Sequence, residues 1–91
     1  MSTRSIIWLP TVRRKLIQFR NERFTPEETF DFISQVILEV EAFIKNPIFG
    51  KVYIEEFGEY RGIARIVVRR FRIYFEQVDE VFIIVALLFP G

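Results

Sequence analysis

The chain has no cysteine and no histidine among its 91 residues. Without thiols there are no disulfide staples and no thiolate nucleophile. Without imidazole as well, zinc sites of the usual composition are excluded, and so is a histidine general base. Long apolar runs are missing too. The most apolar stretch, Val81 to Phe89, is nine residues, half of the ~18 needed to span a bilayer. The N-terminus lacks an extended apolar segment followed by a small-residue cleavage site, so it does not read as a secretory signal. The expectation is a soluble cytoplasmic protein with no membrane partner, no metal and no cofactor.

What is present is hydrophobic and aromatic. Apolar residues make up 51% of the chain and aromatics 16%, with eleven phenylalanines. That excludes disorder, and 91 residues make one domain, 1–91, with a core of limited size. So much apolar surface in so small a domain suggests that a partner covers part of it. Charge is nearly balanced, at formal +1, but unevenly placed. Arg61, Arg65, Arg69, Arg70 and Arg72 fall within twelve residues that contain no acid, so the other 79 residues carry −4. Arginine on a strand face protects against edge pairing, and a guanidinium on a rigid element also suits phosphate or carboxylate recognition.

Ile6 to Leu9 reads as a first strand, ended by Pro10. From Thr11 the period changes, and Val12, Leu16, Ile17 and Phe19 share a helical face that fades near Asn21 to Phe24. Thr25, Pro26 and Glu28 then spell a capping box with proline at the first helical position. Phe30, Ile33, Ile37, Val40 and Ile44 form the apolar stripe of a long helix, with Val36 and Phe43 beside it, and Asn46-Pro47 stops it. The two helices, joined by about three residues, make an αα-hairpin. Residues 47–62 hold three of the four glycines and read as a loop with one short strand at Val52 to Ile54. Arg65 to Val68 and Phe71 to Phe75 are strands of opposite parity, which requires a turn or bulge at Arg69-Arg70. Asp79-Glu80 is the next turn. Val81 to Leu88 is apolar on both parities, as in a central strand buried on both faces. The predicted fold is α+β, in the order β-α-α-β-β-β: a helical hairpin packed on one face of a small, mainly antiparallel sheet.

This order, with certain residues, resembles the RelE/ParE superfamily of toxins from type II toxin–antitoxin systems. The resemblance runs from about Ile6 to Leu88 and is carried by the opening strand with Trp8 and the Phe24-Thr25-Pro26-Glu27 joint. It continues in Asn46-Pro47-Ile48-Phe49-Gly50-Lys51, Gly62-Ile63-Ala64-Arg65-Ile66-Val67-Val68, Phe71-Arg72-Ile73-Tyr74-Phe75 and Val81-Phe82-Ile83-Ile84-Val85. It implies a growth-arresting toxin held by a cognate antitoxin, which wraps a helix or extended segment over it in a hetero-oligomer. RelE-like members are ribosome-dependent messenger-RNA endonucleases, and ParE-like members inhibit DNA gyrase. A small RNA- or protein-binding module without toxicity is a third reading.

The resemblance also implies site residues. Arg72 matches a strand arginine that stabilises charge at the scissile phosphate in RelE-like nucleases, chemistry suited to a fixed guanidinium. Arg65 matches an arginine of the preceding strand. With Arg69 and Arg70 in the turn, these four are the candidate target-binding residues, and Arg72 and Tyr74 the candidate catalytic ones. Tyr74 shares parity with Arg70 and Arg72, on the expected polar face, where a phenol would stack on a base or assist proton transfer. Phe75 stands where the family often has tyrosine. RelE-like nucleases carry further basic, tyrosine or histidine residues after the closing strand, where this chain reads Leu87-Leu88-Phe89-Pro90-Gly91. The expectation is either truncation or a member that does not cleave RNA by the familiar residue set, which favours the ParE-like reading, with a RelE-like endonuclease as the alternative. As acid–base groups there remain Glu55, Glu56 and Glu76. Glu55, Glu56 and Glu59 are also a conceivable Mg²⁺ group. Arg13, Arg14, Lys15, Arg20 and Arg23 on the first half of the hairpin are either a solvated face or a target surface.

Overall fold

The computed structural model describes residues 4–46 and 52–90. The strands and helices are β1 Ser5–Trp8, α1 Pro10–Ile17, α2 Pro26–Lys45, β2 Tyr53–Ile54, β3 Ala64–Val68, β4 Phe71–Val78 and β5 Val81–Leu88. They build one five-stranded sheet in the order β1-β5-β4-β3-β2. The β2-β3-β4-β5 part is antiparallel, and β1 joins the far side of β5 in parallel. The fold is therefore the α+β arrangement that the sequence pattern predicts, with the helices on one face.

Local chemistry sets the boundaries. At the start of α2 the Thr25 hydroxyl accepts from the Glu28 N–H at 3.1 Å, and Glu28 accepts from the Thr25 N–H at 2.9 Å. This reciprocal box satisfies two amide donors that the first turn leaves unpaired. By contrast, α1 starts at Leu9-Pro10 with no side-chain cap, and it ends at Ile17. The helical period of Val12, Leu16 and Phe19 continues further, but Phe19 already lies beyond the helix. The joint between the helices is thus residues 18–25, longer than the sequence suggests, and two further differences follow from the helix axes. Ile17 is 56% exposed and Phe30 is 70% exposed, so neither belongs to the core stripe. On α2 the buried face is Thr29, Ile33, Val36, Val40 and Ile44, with Ile37 only half-buried.

The parity switch between β3 and β4 is resolved by a two-residue turn. Val68 pairs with Phe71, and Arg69 and Arg70 both have positive φ, 50° and 71°, as a type I′ hairpin requires. Ile66 and Val68 on β3 then face the helices together with Phe71, Ile73 and Phe75 on β4. At the next turn, Val78 pairs with Val81 and Asp79 takes a φ of 54°. The register between β4 and β5 slips once, at Tyr74/Phe75: Ala86 faces Tyr74 and Ile84 faces Phe75, which leaves Val85 unpaired. This bulge on β5 places both Val85 and Ala86 on the helix-free side.

The core lies between sheet and helices. Ile66, Phe71, Ile73 and Ile84 from the sheet and Val36 and Val40 from α2 are all fully buried. Each large side chain buried this way contributes roughly 1.5–3 kcal/mol relative to exposure. The phenylalanines explain their own abundance. Phe19 stacks on Phe32 at 5.6 Å and meets Phe71 and Phe89 edge-on at 5.1 and 5.3 Å. Most of the aromatic excess is thus internal packing rather than surface awaiting a partner, and Phe30 and Phe57 are the strongly exposed phenylalanines among the described residues. The helix-free face of β5 is half-buried, at Val81, Ile83 and Val85. The expectation of burial on both faces holds on the helix side and, on the other, only at Ala86, because no helix among the described residues covers that face.

Candidate functional site

Sheet register gathers the sequence candidates on the helix-free face. One row across β5, β4, β3 and β2 reads Ala86, Tyr74, Arg65, Tyr53, and the neighbouring row reads Leu88, Arg72, Val67. Arg65, Arg72 and Tyr74 are therefore neighbours on one surface. Arg69 and Arg70 lie at its end, in the turn.

The polar groups of the first row are committed to one another. A single oxygen of Glu55, Oε2, accepts from the Tyr74 hydroxyl at 2.5 Å and from Arg65 Nη1 at 3.1 Å. The Arg65 guanidinium lies 5.3 Å from the centre of the Tyr53 ring. Tyr60 stacks on Tyr74 with ring centroids 4.5 Å apart. Tyr74 is 1% exposed, so its expected place on an open polar face is corrected: the loop carrying Tyr60 covers it. The hydrogen bond from Tyr74, with Arg65 beside it, holds the Glu55 carboxyl below its ordinary value. Burial first, and the Glu55 carboxylate second, push the Tyr74 phenol above its ordinary value. A phenol with this raised affinity for its proton, already donating to a carboxylate, is a poor proton shuttle at neutral pH.

Loop 55–63 positions these groups. The Glu55 N–H donates to the Ile63 carbonyl at 3.0 Å and the Gly62 N–H donates back to the Glu55 carbonyl at 2.8 Å. Gly62 sits at φ 87°, a conformation that would strain any side-chain-bearing residue. Glu55 therefore leaves the end of β2 with its carboxylate over β3 and β4. Among the described residues no three acidic groups are placed to hold a metal ion, which corrects the reading of Glu55, Glu56 and Glu59 as a Mg²⁺ group.

The turn arginines differ from each other. Arg69 forms an ion pair with Glu39 of α2 at 2.9 Å and covers the Phe32 ring at 5.5 Å. Arg70 and Arg72 are exposed, and neither guanidinium has a hydrogen-bond or ion-pair partner among the described residues. Of the four candidate target-binding residues, these two present unengaged charge. Glu56 and Glu76 are exposed; the Glu56 N–H donates to Glu55 Oε1 at 3.2 Å, and neither carboxylate bonds to Tyr74 or Arg65 among the described residues.

A second feature lies on the helix side. A groove of about 780 Å³ runs between α1 and α2, floored by Trp8, Leu16 and Ile33 and rimmed by Ile17 and Phe30. Arg13 and Arg20 stand along it against one carboxylate, Glu41. Trp8 Nε1 is buried without an acceptor among the described residues. Sequence reasoning assigned Trp8, Ile17 and Phe30 to strand and core and so missed the groove. The one available signal was the width of the α2 apolar arc, in which Phe30 and Val36 lie about 120° apart.

Comparison with protein-family models, curated proteins and solved structures gave no match.

Proposed function

We propose that the chain is the toxin of a type II toxin–antitoxin pair of the RelE/ParE type, acting by binding its target rather than by cutting RNA. The order of one strand, two helices and then four strands, with arginine strands beside a closing apolar strand, supports the class that the sequence resembles. The observation that carries the non-nucleolytic reading is the engagement of Tyr74 and Arg65 by Glu55. Two of the groups an RNA-cleaving site would use are occupied, and Arg70 and Arg72 remain to meet an anionic or carboxylate-bearing target such as gyrase.

Neutralisation has a matching surface. The groove between α1 and α2 has the form that accepts the apolar face of an amphipathic helix. Two guanidinium groups against one carboxylate favour an acidic helix. An antitoxin segment of that kind is the occupant we assign to it, continuing as an extended stretch over the helix-free face.

Induction in a bacterium tests the class: growth arrest relieved by the acidic gene product encoded beside it is expected, and unaffected growth with folded protein overturns it. Primer extension on translated messages tests the mechanism. No new 5′ ends are expected, together with inhibition of gyrase supercoiling by the purified chain. Codon-positioned cleavage that is lost in Arg72→Ala would make it a ribosome-dependent endonuclease instead.

A further inference from the structure

We propose that, when no antitoxin is bound, the groove between α1 and α2 is filled by α2 of a second copy of this chain, in a two-fold dimer that sets the acidic α2 of each copy against the basic α1 of the other. The dimer stands on the groove alone. Only its displacement by an antitoxin helix, a competition for the same groove, rests on the toxin reading.

The two helices are opposite in charge. Residues 10–25 carry Arg13, Arg14, Lys15, Arg20 and Arg23 against Glu22, a net +4. Residues 26–45 carry Glu27, Glu28, Asp31, Glu39 and Glu41 against Lys45, a net −4. Within one molecule this complementarity is left unused. Among the described residues no ion pair joins α1 to α2, and Glu39 pairs instead with Arg69 of the β3–β4 turn. Arg20 turns to the Ile17 and Phe19 carbonyls, each at 2.7 Å. Arg13, Arg14, Glu27 and Asp31 are exposed, and among the described residues none of them is in an ion pair.

The second helix also carries the apolar ridge that such a pairing needs. Phe30, Ser34 and Leu38 follow at four-residue intervals, the spacing of a ridge that packs between the ridges of another helix. Phe30 is 70% and Leu38 59% exposed. Ser34 between them lines the groove, with a side chain small enough to let a second helix approach. A two-fold interface is self-complementary, so that what one copy presents the other receives. With the axis at Ser34, Phe30 of each copy lies against Leu38 of the other, and Glu27 and Asp31 of each are carried towards the α1 of the other. The groove suits an acidic amphipathic helix, and the chain supplies one itself, at its own concentration. Three ridge residues and a charged rim make less than a standard interface of roughly 1,600 Å². The dimer should therefore be weak, with a Kd on the order of 10 µM, and weaker still at high salt because its charges are exposed.

Sedimentation equilibrium tests the dimer. Wild type at about 200 µM, well above that Kd, should be mostly dimer, and a monomer at this concentration overturns the proposal. Arg13→Glu/Arg14→Glu sets acid against acid in the pairing, and Glu27→Lys/Asp31→Lys sets base against base. Each variant alone should self-associate at least about tenfold more weakly. An equimolar mixture of the two should recover a dimer of wild-type affinity, since each then meets its complement. Reversed variants that dimerise like wild type, or a mixture without recovery, overturn the groove pairing in favour of another face. Where a reversed variant loses its helical circular dichroism, Phe30→Glu reads the same contact: a monomer is expected, and an unchanged dimer overturns the pairing. Growth arrest by a chain that is monomeric overturns the dimer and leaves the toxin reading standing, and a dimer without growth arrest does the reverse.

Discussion

Glu55 is one residue with three duties: it ends β2, closes loop 55–63 through its backbone and neutralises Arg65 through its side chain. Its titration should be visible in the stability of the whole domain. Because the folded carboxyl is held below its ordinary value of 4.5, the unfolded chain binds the proton more readily in acid. Stability from this group is complete above about pH 4.5 and is lost as pH falls through the folded value. Tyr74 has the opposite sign. Its proton is held more tightly in the folded state than at the ordinary value of 10.0, so its contribution is complete below about pH 10 and is lost as pH rises through the folded value. Urea titrations across this range should give a plateau between the two limits. In Glu55→Gln the acid limb should flatten, since no proton is taken up at that position. Limbs of identical slope in both proteins would show that Glu55 contributes no linkage.

Among the elements, the β3–β4 hairpin breaks a local rule. A type I′ turn favours Asn-Gly, yet Arg69 and Arg70 occupy its two positive-φ positions. Arg69 has compensation in Glu39 and the Phe32 ring. For Arg70 no such contact is present among the described residues. Left-handed backbone costs an L-residue about 1–2 kcal/mol, and glycine there would add roughly 0.5–1 kcal/mol of unfolded-chain entropy. Arg70→Gly is therefore expected to stabilise the domain, by roughly 0.5 kcal/mol, measurable as a higher urea midpoint. Local rules are broken most readily at functional positions, so the same variant should be weaker in growth arrest. A variant that is both more stable and fully active would leave the turn arginine without a role. The turn itself was legible in the sequence, because apolar parity changes across it and parity has only one period. So was the α2 cap, a four-residue signal. Three features were not legible. The end of α1 was hidden because Phe19 keeps helical spacing while packing from a loop. The bulge at Val85 was hidden in an all-apolar strand, where either face reads alike. The partners of Arg65 and Arg69 lie ten and thirty residues away, a distance set by topology alone. Hence the candidate arginines were found by type, but which of them are engaged emerged from the fold.

At the scale of the whole molecule, the sheet separates two surfaces: an apolar groove with basic rims on the helix side, and an open face bearing Arg72 on the other. No helix among the described residues is long and apolar enough to cross a membrane. If an antitoxin helix anchors in the groove while the target meets the open face, the two activities must separate by mutation. Phe30 is 70% exposed, so Phe30→Glu should alter folding stability by no more than about 0.5 kcal/mol. It removes an aromatic anchor and places a carboxylate facing an acidic partner, which should weaken antitoxin binding at least tenfold. Such a variant should arrest growth and resist neutralisation. Arg72→Glu should do the reverse, keeping the groove intact and antitoxin binding within about twofold while losing growth arrest, because it inverts an unengaged charge at the proposed target surface. Isothermal titration with the antitoxin and growth curves for both variants decide the matter. Loss of both properties in Phe30→Glu would mean that target and antitoxin compete for the groove, and the open face would then lose its assignment as the target surface.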